Sequence, residues 1–253
     1  MIRRVAALYD IHGNAPALAA VLDERDVADA DVIVVGGDVA AGPFAAETID
    51  LLTALGERAR FVRGNADREL VAQFDSRDRS SARPDDVWTS RTRFAAEQLS
   101  HEHRDFVAAF EAGVELELHG LGRTLFCHGT PRSDEEIVTE LTPDDEVRDI
   151  LAVDAALVVY GHTHIQLDRH VGDRRLVNAG SVGMPYEGRP GAYWALLGPD
   201  VDLRRTEYDL VATAERVRAS GYPEADEFAD ENVLSSPSRE EVAAYFESLR
   251  GRT

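Results

Sequence analysis

Lysine is absent from this 253-residue sequence, and cysteine occurs once, at Cys127. A single thiol excludes an internal disulfide framework and a thiolate metal cluster, so any bound metal must be held by His, Asp, Asn or Glu. No uninterrupted apolar run approaches the roughly 20 residues that a membrane-crossing helix requires. The start, Met1-Ile-Arg-Arg-Val, leads into a strand-like run without a cleavage site, and a cytoplasmic protein is expected. Positive charge is scarce: 27 basic residues, all arginine, stand against 47 acidic ones, for a formal net charge of -20. Such a surface repels polyanions, which disfavours non-specific binding to nucleic acid or to an anionic membrane face.

What is present is ordinary for a globular chain, with 44% hydrophobic and 29% charged residues. Short apolar runs, Val5 to Tyr9, Val32 to Val35, Arg60 to Val62, Thr124 to Cys127 and Ala155 to Tyr160, each end in glycine and polar residues. They read as buried strands. Helix-like segments at Ala15 to Glu24 and Glu47 to Leu55 separate the early ones, so the chain opens as alternating strand and helix with parallel pairing. In such sheets the ligand site lies beyond the carboxyl ends of the strands.

From about Gln73 to Ala112 the pattern changes to Arg- and Asp-rich loop sequence as far as Asp86, then one helix over Ser90 to Phe110. His101 and His103 fall there in a polar context and read as solvated surface. Later strand-like runs at Ile165 to Val171, Arg174 to Asn178, Ala192 to Leu197 and Val201 to Tyr208 are joined by short turns, Gly172-Asp173 among them, which implies a mostly antiparallel or mixed sheet. Helices follow at Leu210 to Ala219 and Arg239 to Leu249, the second introduced by a Ser-Pro-Ser cap signal. The expectation is one α/β domain over 1–253, a four-layer sandwich of two stacked mixed β-sheets flanked by helices. A helical insertion at about 73–112 and a helical C-terminal extension at about 209–253 complete it.

Ligand-capable residues gather at the strand ends: Asp10-Ile-His12-Gly13-Asn14, Gly36-Gly37-Asp38, Arg63-Gly64-Asn65-Ala66-Asp67, Cys127-His128-Gly129 and Gly161-His162-Thr163-His164. Each alone has a structural use: Asp10 can cap a helix, Asn65 hold a left-handed turn, Asp38 bind backbone amides, and His128 sit buried and hydrogen-bonded. Together they form an oxygen and imidazole donor set of the kind that hard and borderline divalent ions take. Cys127 reads as a packed strand residue, and His119 and His170 lie away from the loop ends. Asn14, Gly37, Arg63 and Asp67 are candidates for substrate or water contacts, Arg63 more plausibly as salt-bridged structure pointing away from the ligand loop.

This order, D-x-H, G-D, G-N, H-G and G-H-x-H, resembles the calcineurin-like metallophosphoesterases over residues 1 to 207. The stretch Asn178-Ala-Gly-Ser-Val-Gly-Met resembles a signature of their small bacterial and archaeal phosphodiesterase branch. The resemblance implies a binuclear metal-dependent phosphodiesterase that hydrolyses a small phosphate ester by in-line attack of a metal-bridging hydroxide. It implies one metal on Asp10, His12, Asp38 and His164 and a second on Asp38, Asn65, His128 and His162. Manganese is the first choice, with iron, zinc, nickel and magnesium also admitted, and Asp38, Asn65, His128 and Asp67 make up the expected catalytic group. One position departs from the pattern: many members carry a histidine after the G-N asparagine to protonate the leaving alkoxide, and here it is Ala66. The same fold also serves as an interaction subunit of the retromer coat, the alternative reading. A scaffold has no need of seven competent ligand positions, which favours the enzyme.

Overall fold

The computed structural model describes residues 2–76 and 86–250. The chain begins β1 (Val5–Leu8), α1 (Ala15–Leu22), α2 (Arg25–Ala28), β2 (Val32–Val35), α3 (Ala45–Thr53), β3 (Ala59–Phe61) and α4 (Asn65–Ser76). β1 pairs parallel with β2, and β2 with β3, as the alternation of strand and helix predicts. Both faces of β1 are buried: Val5, Ala7 and Tyr9 point to one core, Ala6 and Leu8 to another. A period of two with no polar face is what a central strand between two layers requires.

After α4 come α5 (Val87–Glu97) and α6 (His101–Ala108), where the sequence pattern reads as a single helix. Ser100 divides them. Its hydroxyl accepts the His103 amide and the His103 side chain returns to the Ser100 amide, a reciprocal cap that starts a new helix. Residues 73–76 continue α4 instead of forming loop, while the rest of the expected loop, 77–85, lies outside the described residues. His103 also meets Asp50 at 3.1 Å on the surface.

The second sheet is built from β4 (Val114–Leu118), β5 (Gly122–Phe126), β6 (Leu157–Tyr160), β7 (Leu167–Val171) and β8 (Arg174–Asn178), in the order β4-β5-β6-β8-β7, with α7 (Asp144–Ile150) on its outer face. It is mixed: β5, β6 and β8 run parallel, and β4 and β7 are antiparallel edges. The following strands, β9 (Ala192–Leu197) and β10 (Val201–Thr206), leave this sheet and extend the first one, β9 pairing antiparallel with β1. All six residues of β9 are buried, so it fits only an interior position.

The two sheets stack through Val5, Val34, Val62, Phe126, Leu157, Val159 and their neighbours. A buried side chain of this size contributes about 1.5–3 kcal/mol. Tyr9 crosses the interface and donates its hydroxyl to Val159 O at 3.0 Å. The C-terminal extension, α8 (Leu210–Ala219), α9 (Ala225–Phe228) with a wider turn to Leu234, and α10 (Arg239–Leu249), packs Val217, Tyr222, Phe228 and Val233 against Met184. No described helix is long and apolar enough to cross a membrane. Parallel strands β1, β2, β3, β5 and β6 carry the ligand-capable loops at their carboxyl ends, and stacking brings the two sets of loops together.

Candidate metal centre

Two triads form there. Asp10, His12 and His164 bring ligand atoms within 4.8 Å of one another, and so do Asp38, His128 and His162. Asp38 links them: its Oδ2 lies 3.8 Å from His12 Nε2 and 3.3 Å from His128 Nε2. Asp10 Oδ1 lies 3.4 Å from His164 Nε2 and 3.9 Å from His128 Nε2. His12 and His164 approach to 3.1 Å through their Nε2 atoms.

The backbone is held in an unusual conformation to achieve this. Asp10, His12, Asp38, His162 and His164 have φ of 52°, 45°, 53°, 65° and 58°, the left-handed region that costs a non-glycine residue about 1–2 kcal/mol. Strain of this kind persists only where the surroundings enforce it. Here the enforcing contacts are explicit. The Asp10, His12 and Gly13 amides donate to Gly37 O, Asp38 O and Val39 O, joining the loops after β1 and β2. Asp67 joins the loops after β2 and β3, accepting the amides of Asp38, Val39 and Gly64, each at 2.9 Å. The His162 amide donates to Asp10 Oδ2 at 2.9 Å, tying the two sheets' loops. Gly161 is required beside it, because a Cβ there would stand 2.3 Å from that same oxygen.

Asn178 and Ser181 complete the frame. Asn178 donates to Gly161 O at 2.7 Å and to Thr163 Oγ1 at 3.0 Å, and Ser181 donates to Asp10 O at 2.6 Å. Neither stands out in the sequence as a framing residue, although both fall in the Asn178-Ala-Gly-Ser stretch. Asn14 caps α1 through Ala17 N and donates to Gly183 O, a structural use of a residue considered for substrate contact.

The donor set fits divalent cations. His128 Nδ1 lies 2.9 Å from Gly36 O and His164 Nδ1 2.8 Å from Met184 O. An Nδ1–H donated to each carbonyl leaves the Nε2 lone pair facing the centre. Three buried atoms in the group, Asp10 Oδ1, Asn65 Oδ1 and His128 Nε2, have no hydrogen-bond partner among the described residues. Buried polar atoms are rarely left so. Without cations the charges rearrange: burial opposes a charge on His128, yet Asp38 facing it lifts the imidazole to about 10, and His128 holds Asp38 well below the usual carboxylate range. Burial, then the neighbouring imidazoles His164 and His128, push His12 and His162 down to about 4. Burial and the Asp38 charge push Asp67 up to about 7, against the pull of its amide donors.

Arg63 departs from expectation. Instead of turning away into a salt bridge, it makes no ion pair with a described residue and lines a cavity of about 380 Å³ beside His128 and Arg132. Strand β3 ends at Phe61, one residue earlier than predicted, and the Arg63 amide donates to Glu111 O at 2.7 Å. Cys127 is packed and buried, while His119 and His170 are exposed. Ala66 and Glu69 line a second cavity, with His12, Asp38 and Asn65 at its floor.

A family model described as the calcineurin-like phosphoesterase superfamily domain matches residues 4–198. Among solved structures, the chain is similar to a metallophosphoesterase from Sphaerobacter thermophilus, at 26% identity and a TM-score of 0.70, covering 89% of this chain and 96% of that one. It also shares its fold with a hypothetical protein from Pyrococcus horikoshii OT3, at 21% identity and a TM-score of 0.76, over 89% of this chain and 97% of that one. Among curated proteins, none matches.

Proposed function

The chain belongs to the calcineurin-like phosphoesterase superfamily, and from that premise we propose that it hydrolyses small phosphate esters, phosphodiesters foremost, with two divalent cations. One cation would be held by Asp10, His12, Asp38 and His164, the other by Asp38, Asn65, His128 and His162. The observation that carries this reading is the position of Asp38 Oδ2, within 4 Å of a histidine from each triad. Manganese suits the donors first, and iron, zinc, nickel and magnesium are also compatible with mixed oxygen and imidazole ligation. Bound there, the cations supply positive charge opposite a phosphoryl group and lower the pKa of water.

The chain's own residues do the rest. Gly36 O and Met184 O orient two of the imidazoles, and Asp67 fixes the loops that carry Asp38 and Asn65. Arg63, beside His128, offers a planar guanidinium to a non-reacting phosphoryl oxygen, in a protein whose surface otherwise repels anions. Ala66 has no acidic proton to give, so the leaving oxygen departs without help from that position.

Metal analysis after manganese loading, together with turnover of bis(4-nitrophenyl) phosphate, tests the reading. About two metals per chain and hydrolysis are expected, both reduced in Asp38→Asn. A fully loaded protein that turns over no member of a phosphate-ester panel would refute it.

A further inference from the structure

The cavity above Asp38 and Asn65 has a wall that the cations do not explain. Its volume is about 220 Å³, and Trp88 and Arg91 of α5, Met184, Tyr222 and Phe228 enclose it. Trp88 is 63% exposed, a large apolar side chain standing in water at the mouth of a polar centre. Arg91 is 6% exposed and pins the wall together. It donates to Pro223 O at 3.3 Å and pairs with Glu224 and Glu227 at 3.5 and 3.6 Å. Its guanidinium carbon lies 5.5, 5.6 and 5.9 Å from the ring centroids of Trp88, Tyr222 and Phe228. The wall is therefore preorganised.

Tyr222 and Phe228 lie beyond residue 198, where the family match ends, so the C-terminal extension closes this cavity from outside the matched segment. The cavity on the other side of the centre, beside Arg63 and His128, is lined by charged and small residues, with no Phe, Tyr or Trp. Of these two cavities, only the one at Trp88 has Trp, Tyr or Phe among its described lining residues, while Tyr186 and Phe246 stand separately against His164 and His162. The volume is below the roughly 300–1,000 Å³ that accommodates drug-sized ligands, which leaves room for one flat ring system.

We infer that this cavity seats a planar aromatic group of the ester, a nucleobase or a simple aryl ring, stacked on Trp88 with the phosphoryl end at Asp38 and Asn65. The inference rests on the phosphoesterase reading. Stacking of a base on an aromatic side chain strengthens binding by about five- to 150-fold.

The test uses paired probes with the same phosphoryl end, added to the manganese-loaded full chain: phenylphosphonate against methylphosphonate, and AMP against ribose 5-phosphate. Trp88 and the buried Trp194 are the two tryptophans of the chain, so emission lost in Trp88→Phe isolates the Trp88 signal while Trp194 reports an intact fold. The aromatic member of at least one pair is expected to quench Trp88 and bind about tenfold more tightly, the advantage collapsing in Trp88→Ala. Preference within the AMP pair alone identifies a nucleobase, and preference in both identifies any aryl ring. Equal affinity within both pairs, with binding intact, overturns the inference and leaves the phosphoesterase reading standing. Absence of binding by all four probes, together with no turnover, overturns both.

Discussion

His128 Nε2 faces Asp38 Oδ2 at 3.3 Å in the buried interior of the centre, and each holds the other in its charged form when no cation is present. A divalent ion between them must displace the proton that His128 retains up to about pH 10. Metal uptake at neutral pH is therefore expected to release a proton, and apparent affinity to rise with pH. Calorimetric titration of manganese into the stripped protein, repeated in buffers of different ionisation heat, measures that release. A binding heat independent of buffer would show that His128 gives up no proton when the cation binds.

The stripped protein carries opposing pH dependences. His12 and His162, at about 4 when folded and near 6.5 when unfolded, bind fewer protons in the folded state between those values. Stability is lost as pH falls through that window, on the order of 3 kcal/mol for each histidine at the acid end. His128 acts in the other direction: its folded pKa is raised, so its contribution is complete below about 6.5 and is lost as pH rises toward about 10. Thermal melts of the chelator-treated protein across pH should thus peak between slightly acid and neutral pH. Adding manganese should move the peak upward in pH, since the cation replaces the His128 proton.

Asp67 separates a positioning role from a catalytic one. Both its oxygens are occupied by three backbone amides from the loops that bear Asp38 and Asn65. Asp67→Ala leaves those buried donors unpaired, at a cost of at least about 3 kcal/mol, and should weaken manganese binding in the same step. Melting temperature and metal affinity are the two readouts. Lost turnover with both unchanged would instead place Asp67 among the groups that act on substrate.

How much of this was legible in the sequence depended on what each residue answers to. Ligand positions could be read because glycine beside Asp, His or Asn at the end of an apolar run is a local pattern. Gly161 and Gly37 stand where a Cβ would strike Asp10 Oδ2 or His128 Nδ1. The hairpin β9–β10 was harder. Its short turn declares antiparallel pairing, but which sheet it joins is decided by the vacant side of β1, far away in sequence. Strand β4, Val-Glu-Leu-Glu-Leu, alternates as an edge strand does and has no apolar run to mark it. Helix α7 buries only Val147 and Ile150 and is otherwise charged, mostly acidic, leaving too narrow a stripe to read. Arg63 lies past the end of β3, where strand alternation no longer dictates which way a side chain points, and its amide pairs with Glu111, far away in sequence.

Ala66 sets the last expectation, and Glu69 is the residue that tests it. Both line the cavity over Asp38, Glu69 one helical turn beyond Ala66 on α4, so Glu69 is the carboxyl of that lining, apart from the expected metal ligand Asp38, that could replace the missing proton donor. Burial and the Asp38 charge raise its pKa, which favours the acid form. Two cations at Asp38 would oppose that second influence and favour the carboxylate. The leaving oxygen then receives no proton, forgoing general-acid help worth about 10²–10⁴-fold. Rates across phosphodiesters of graded leaving-group pKa should fall steeply, with aryl esters far ahead of alkyl ones. Glu69→Gln should leave that slope unchanged and lower KM for anionic substrates by roughly two- to tenfold, because one negative charge is removed from the cavity. A slope that is shallow in the wild type and steepens in Glu69→Gln would make Glu69 the proton donor.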